Sequence, residues 1–144
     1  EVFDKNVGGG MKISTADKWF SRYIRLRDAW ESNGVLLNRC ATSGKIQECK
    51  QLECGHYMSR RHTSTRWSEL NAMPQSTYEN RWKYGNPEKM AQVLDEKFGK
   101  GTADKVKIMT RQVTKVDEKL ITLYYKEAVN ELLKSKGWQK LKWW

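Results

Sequence analysis

Three stretches decide the reading of this chain: Cys54-Gly55-His56-Tyr57, then Leu70-Asn71-Ala72-Met73-Pro74-Gln75, then Glu79-Asn80-Arg81-Trp82. Residues 51–58 read as a short strand ending at His56, and residues 70–74 as a second short strand. Between them, Ser59-Arg60-Arg61-His62-Thr63-Ser64-Thr65-Arg66-Trp67 is a polar, basic loop with no periodicity. Ser76-Thr77-Tyr78-Glu79 is a Ser-x-x-Glu capping box, which predicts a helix carrying Asn80 and stopping near Gly85. Two strands and a helix would thus present a His, an Asn and a second Asn from one small unit.

Those residue types suit phosphodiester hydrolysis. A neutral imidazole takes a proton from water near pH 7, so His56 is the candidate base. Its other ring nitrogen must be held by a side chain or main-chain carbonyl near Asn71, with Asn71 pinning the loop between the strands. Asn80 offers a neutral amide oxygen to a hard cation, Mg²⁺ or Mn²⁺, and His56 is the other candidate metal contact. Arg60, Arg61 or Arg66 would neutralise charge developing on the phosphate, and Arg61 is assigned to the catalytic set with His56 and Asn71. This is the layout of the ββα-metal core of His-Asn-His nucleases. One His and two Asn also suit a satisfied structural histidine and two turn residues. The basic loop, where a phosphate must sit, favours the nuclease. His62 is a competing candidate within that loop.

Working outward, residues 14–31 read as a helix capped at Ser14 or Thr15, with Asp17 in its first turn. Trp19, Phe20, Tyr23, Ile24 and Trp30 form its apolar side. Arg22, Arg25 and Arg27 lie off that side, on a solvated basic face from which Arg25 is a candidate phosphate contact. Asn33-Gly34 reads as its end. Residues 35–50 read as a loop or short hairpin around Ser43-Gly44. Asn86-Pro87-Glu88 starts a further helix whose stripe is Met90, Ala91, Leu94 and Phe98, closed by Gly99. Residues 102–113 and 115–135 read as two more helices. In the last, Val116, Leu120, Tyr124, Ala128 and Leu132 recur every four residues, widened by Tyr125, Val129 and Leu133.

The expected fold is therefore mainly α with a small two-stranded sheet. An N-terminal helix packs on a ββα-metal core over residues 12–99, and residues 100–144 form a helical extension. Residues 1–11 read as a linker or cloning remnant. Against 17 Asp and Glu the chain carries 27 Lys and Arg, a formal charge of +10, which attracts polyanions and with the aromatic content points to nucleic acid. Lys83 and the tail lysines join the candidate phosphate contacts. The 3 cysteines, Cys40, Cys49 and Cys54, lack the spacing of a disulfide framework. Neither a signal peptide nor an 18-residue apolar run is present, so no membrane span and a reducing, intracellular setting are expected.

From Phe20-Ser21-Arg22-Tyr23-Ile24-Arg25-Leu26-Arg27-Asp28-Ala29 through Cys40-Ala41-Thr42-Ser43-Gly44-Lys45 the chain resembles the NinG (Rap) family of recombination endonucleases of lambdoid phages. The resemblance is most specific at Gly55-His56-Tyr57-Met58-Ser59-Arg60-Arg61-His62, Thr65-Arg66-Trp67 and Asn71-Ala72-Met73-Pro74-Gln75, and covers roughly residues 17 to 98. It implies a phage-encoded protein in the bacterial cytoplasm that binds and cuts branched recombination DNA, namely Holliday junctions and displacement loops. By position, His56 would be the base, Asn71 the middle Asn and Asn80 the metal ligand. Arg60, Arg61, His62 and Arg66 would contact DNA. Symmetric cutting of a four-way junction favours a homodimer, for which the helices over 102–135 offer apolar surface.

Two departures stand out. The family's structural zinc is held by two Cys pairs, but here Cys40 alone remains, with Ser43, Ser76 and Glu79 at the other positions. A four-Cys zinc site is therefore not expected. Support is expected instead from aromatic packing around Trp67, Tyr78, Trp82 and Tyr84. In addition, many His-Asn-His nucleases carry an Asp just before the His, where Gly55 stands here. Two rival readings follow: a non-catalytic branched-DNA-binding protein on a decayed nuclease scaffold, and a basic protein-interaction module.

Overall fold

The structure is a computed structural model and describes residues 11–141. All but the last residue of the expected linker, and the end of the tail from Lys142, lie outside the described residues. Helix α1 (Thr15–Arg27) starts with a complete capping box: Ser14 Oγ accepts from the Asp17 N–H at 3.1 Å, and the Asp17 carboxylate accepts from the Ser14 N–H at 2.8 Å. The helix ends at Arg27 rather than at residue 31, because Asn33-Gly34 is the tip of a hairpin and not a helix stop. Strands β1 (Trp30–Ser32) and β2 (Val35–Arg39) pair with Ser32 opposite Val35. Asn33 and Gly34 take φ of 50° and 79°, as a two-residue turn of the hairpin hand requires. Strand β3 (Ile46–Glu48) pairs with the other edge of β2, making a three-stranded antiparallel sheet where a loop or a single hairpin was expected.

The expected two-stranded sheet is also present. Strands β4 (Glu53–His56) and β5 (Ala72–Gln75) are antiparallel, with Glu53 opposite Gln75 and His56 opposite Ala72. The Pro74 carbonyl accepts from the Ala41 N–H at 2.9 Å and ties the two sheets together. The basic loop holds a single helical turn, α2 (Thr63–Arg66), and a 3₁₀ turn, Glu69–Asn71, leads into β5. The helix expected to carry Asn80 is instead a five-residue π-helical turn, Tyr78–Trp82. Only half of the predicted capping box forms: Ser76 Oγ accepts from the Glu79 N–H at 3.2 Å, but the Glu79 carboxylate turns to Asn86 at 2.9 Å.

Helices α3 (Pro87–Phe98), α4 (Thr102–Met109) and α5 (Glu118–Lys136) complete a mainly helical molecule. Asn86 precedes α3, Pro87 fills its first turn, and Met90 and Leu94 are buried, as expected. In α5 the phase of the stripe differs from the sequence reading. Tyr125, Val129 and Leu133 are the buried ridge, while Leu120 and Tyr124 are exposed. The ridge packs along α1: Val129, Leu133 and Trp138 join Leu26, Leu36 and Cys49, and Tyr125 joins Ala16, Phe20, Ile24, Trp67 and Ala72. The C-terminal segment is thus fastened into the same core as the first helix. Arg27, expected on a solvated face, is instead nearly buried and donates to the carbonyls of Glu69 at 2.8 Å and Ala72 at 2.9 Å. Among the described residues no helix is long and apolar enough to cross a membrane.

Candidate active-site cleft

The end of β4, the first turns of α1, the loop after His56 and the π turn enclose a cleft of about 720 Å³. His56, Asn80, Arg25, Arg60 and Arg61 line it, together with Glu53, Asp17, Lys18, Arg22 and Arg81. Asn71, His62, Arg66 and Lys83 do not.

His56 closes β4 with its ring 5.6 Å from that of Phe20. Its Nε2 lies 2.8 Å from the Arg66 carbonyl. A carbonyl can only accept, so Nε2 carries the proton and Nδ1 is the basic nitrogen. Two devices hold that carbonyl. Asn71, fully buried, accepts from the Met58 N–H at 2.7 Å and donates to the carbonyls of Met58 and Thr65, each at 3.0 Å, so it pins both ends of the loop. Asp17 reaches over from α1 and accepts from Arg66 Nε at 3.0 Å, Arg60 Nη1 at 3.0 Å and Trp67 Nε1 at 3.0 Å. Burial alone would raise the Asp17 carboxyl, but hydrogen bonds from Arg66 and Ser14 and the charges of Arg66 and Arg60 outweigh it, leaving its pKa below the ordinary 3.8. Nothing in the sequence around Asp17 beyond its place in a capping box marks this second duty.

Asn80 sits on the π turn facing Glu53 of β4. Its Nδ2 donates to Glu53 Oε1 at 2.9 Å, which fixes the amide orientation, while its buried Oδ1 has no hydrogen-bond partner among the described residues. Arg81 pairs with the same carboxylate at 2.9 Å, and Thr77 Oγ1 donates to it at 3.0 Å. The orphaned amide oxygen is the kind of donor a hard cation takes, but the Glu53 carboxylate beside it is already engaged by Asn80, Thr77 and Arg81, and among the described residues no cluster of three His, Cys, Asp or Glu side chains could hold a metal ion. Glu53 was not anticipated. The available signal was its place two residues before Gly55, on the same face of the strand. Gly55 itself has no room for a side chain: a Cβ there would lie 1.9 Å from Gln75 Oε1 and 2.8 Å from Gln75 Cγ. Gln75 is buried and donates to Thr42 Oγ1 at 2.9 Å and the Gly85 carbonyl at 3.0 Å.

The cations divide into two kinds. Arg60 and Arg66, read as DNA contacts, have side chains only 13% and 14% exposed and are engaged by Asp17. The single Asp17 carboxylate offsets one of these two charges, so the cluster keeps a net positive charge while its side chains are fixed on the loop. Arg61 is exposed and its guanidinium is unpaired among the described residues. Arg25 lies in the cleft wall, donating to the carbonyls of Ser21 and Cys49. Arg22, read on the basic face of the first helix, lines the cleft too, as do Lys18 and Arg81, which the sequence did not mark as phosphate contacts.

The four positions that correspond to zinc cysteines in the resemblance do converge. Cys40 Sγ donates to Ser76 Oγ at 3.7 Å across a sequence gap of 36 residues, and Ser76 Oγ also meets the Glu79 N–H. Burial would raise the Cys40 thiol, but hydrogen bonds with Ser43 and Ser76 bring it below its ordinary value. One thiol, two hydroxyls and a carboxylate already bonded to Asn86 do not fit a structural zinc. The hydrogen-bonded cluster joins the β2–β3 turn to the π turn. Aromatic packing does not do so as expected. Of the four rings, only Trp67 is buried, whereas Tyr78, Trp82 and Tyr84 are 60%, 75% and 88% exposed.

No protein-family model, curated protein or solved structure matches this chain.

Proposed function

We propose that this chain is a metal-dependent, structure-selective DNA endonuclease of the ββα-metal type, phage-encoded and acting on Holliday junctions and displacement loops in the bacterial cytoplasm. The observation that carries the reading is one basic cleft holding His56, its Nε2 fixed on the Arg66 carbonyl, and Asn80, its amide oriented by Glu53 with Oδ1 unsatisfied.

His56 Nδ1 would take a proton from a water whose oxygen attacks the scissile phosphorus, and the bond to the 3′ oxygen then breaks. Asn71, Asp17 and Arg66 act one step back, as positioning residues that keep the ring in one tautomer. Arg61 and Arg81 lie where phosphate charge would accumulate. Mg²⁺ or Mn²⁺, for which Asn80 and His56 are the candidate ligands, would supply charge stabilisation at the phosphate and the leaving oxygen. The exposed Leu120, Leu123 and Tyr124 of α5 are the face on which a second copy would sit, giving two sites for symmetric cutting.

The test is cleavage of a synthetic four-way junction in Mg²⁺. The natural protein should cut it, and His56→Ala should cut on the order of 10³-fold more slowly. Binding without cutting by the natural protein sinks the enzyme and favours a DNA-binding scaffold. Undiminished cutting by His56→Ala sinks the base.

A further inference from the structure

The π turn and the bend after it leave three large rings in water within seven residues, Tyr78, Trp82 and Tyr84, of which Tyr84 lines the cleft. Cations alternate with them: Arg81 and Tyr84 line the cleft, and Lys83 Nζ stands 5.9 Å over the Tyr78 ring. Burying such rings would be favourable, so their exposure on a segment that is otherwise well bonded calls for an explanation.

The backbone that presents them is held firmly and at a cost. Tyr84, Gly85 and Asn86 all have positive φ, of 52°, 84° and 45°. For the tyrosine and the asparagine this conformation is strained and persists only because the surroundings impose it. The restraints are visible. The Gly85 carbonyl accepts from buried Gln75 at 3.0 Å, the Gly85 N–H reaches the Glu79 carbonyl at 2.9 Å, and Asn86 Nδ2 holds the Glu79 carboxylate. The rings are therefore presented from a fixed turn.

Resting on the endonuclease reading, we infer that Trp82 and Tyr84 are a stacking platform for unpaired nucleotides at a branch point, with Arg81 and Lys83 on the flanking phosphates. Duplex bases present no free π faces, whereas displaced or single-stranded bases do, and aromatic rings interleaved with cations suit that ligand. An acidic protein partner fits less well, since no aliphatic side chain lies among the rings from Tyr78 to Asn86.

The experiment measures binding by the full chain, with EDTA present to prevent cutting, of a blunt duplex and of the same duplex bearing a single-stranded thymidine tail. The wild type should bind the tailed DNA at least tenfold more tightly. Trp82→Ala with Tyr84→Ala should lose that preference, with blunt-duplex affinity within twofold of wild type. Trp82→Phe with Tyr84→Phe should retain most of it. Equal affinity of the wild type for both DNAs, an equal loss on both DNAs in the Ala variant, or an unchanged preference in that variant would each overturn the platform. A ring-dependent preference in a protein that never cuts junctions in Mg²⁺ upholds the platform and removes only the nuclease. Cutting that depends on His56, with tail preference indifferent to the rings, does the reverse.

Discussion

Asn71 and Asn80 are both buried and both close to the cleft, yet they are used in opposite ways. On the His56 side, Asn71 makes three side-chain hydrogen bonds, and Asp17 gathers Arg60, Arg66 and Trp67 around one carboxylate. On the π-turn side, the Asn80 side chain makes one hydrogen bond, its oxygen and that of Gln75 have no partner among the described residues, and two non-glycine residues sit at positive φ. One side is built for rigidity, with its polar groups matched internally. The other carries two of the four unmatched buried polar atoms among the described residues, Asn80 Oδ1 and Gln75 Oε1, together with the strain at Tyr84 and Asn86.

The largest test of that contrast is Asp17→Ala. It leaves Arg60, Arg66 and the Trp67 N–H without their acceptor, and urea unfolding should show a loss of about 3–5 kcal/mol. A loss below about 1 kcal/mol would mean that the His56 side is held by something else. The same residue sets an acid limit. Its pKa is lowered in the fold, so its stabilisation is fully present above the ordinary value of 3.8 and is lost as pH falls through the lower folded-state value. Wild-type stability should therefore drop more steeply than that of Asp17→Asn in the window below about pH 4. Next, Asn71→Ala leaves Met58 and Thr65 groups unsatisfied and should cost about 3 kcal/mol, with cleavage falling as the loop loosens. The smallest stability effect should come from Asn80→Ala, below about 1 kcal/mol, because it removes one hydrogen bond together with an unsatisfied oxygen. Its junction cleavage should nevertheless fall on the order of 10²-fold. If the two asparagines proved equally costly to stability, the contrast between the two sides would collapse.

Local signals were legible where the chemistry is local. The Ser14–Asp17 capping box, the Asn86-Pro87 start of α3 and the strands ending at His56 and beginning near Asn71 all follow from neighbouring residues. Asn33-Gly34 was equally local but carries two meanings, and the flanking Trp30-Glu31-Ser32 and Val35-Leu36-Leu37 should have settled it as a hairpin. The phase of α5 could not be read from its own stripe, since apolar residues occupy more than one side and only packing on α1 chooses among them. Within the cleft, the positions of His56 and Asn80 were legible from spacing. The parts that orient them were not: Asp17 meets Arg66 across a separation of 49 residues, and Glu53 meets Asn80 across 27. That Arg60 and Arg66 share the Asp17 carboxylate was likewise illegible, because only tertiary proximity reveals it.

The overlap between a Cβ at position 55 and the side chain of Gln75 has a consequence for how this cleft can change. Positions 55 and 75 behave as a single locus, in which one volume is filled from one strand or from the other. A carboxylate installed before His56 in one mutational step would have to displace a buried glutamine whose amide nitrogen makes two hydrogen bonds. The accessible order is a smaller residue at 75 first, at the expense of the bond that holds the Gly85 carbonyl, and an acid at 55 second. Until both have happened, Glu53 is the carboxylate this strand can offer, and any rewiring of the site must pass through the turn that Gln75 anchors.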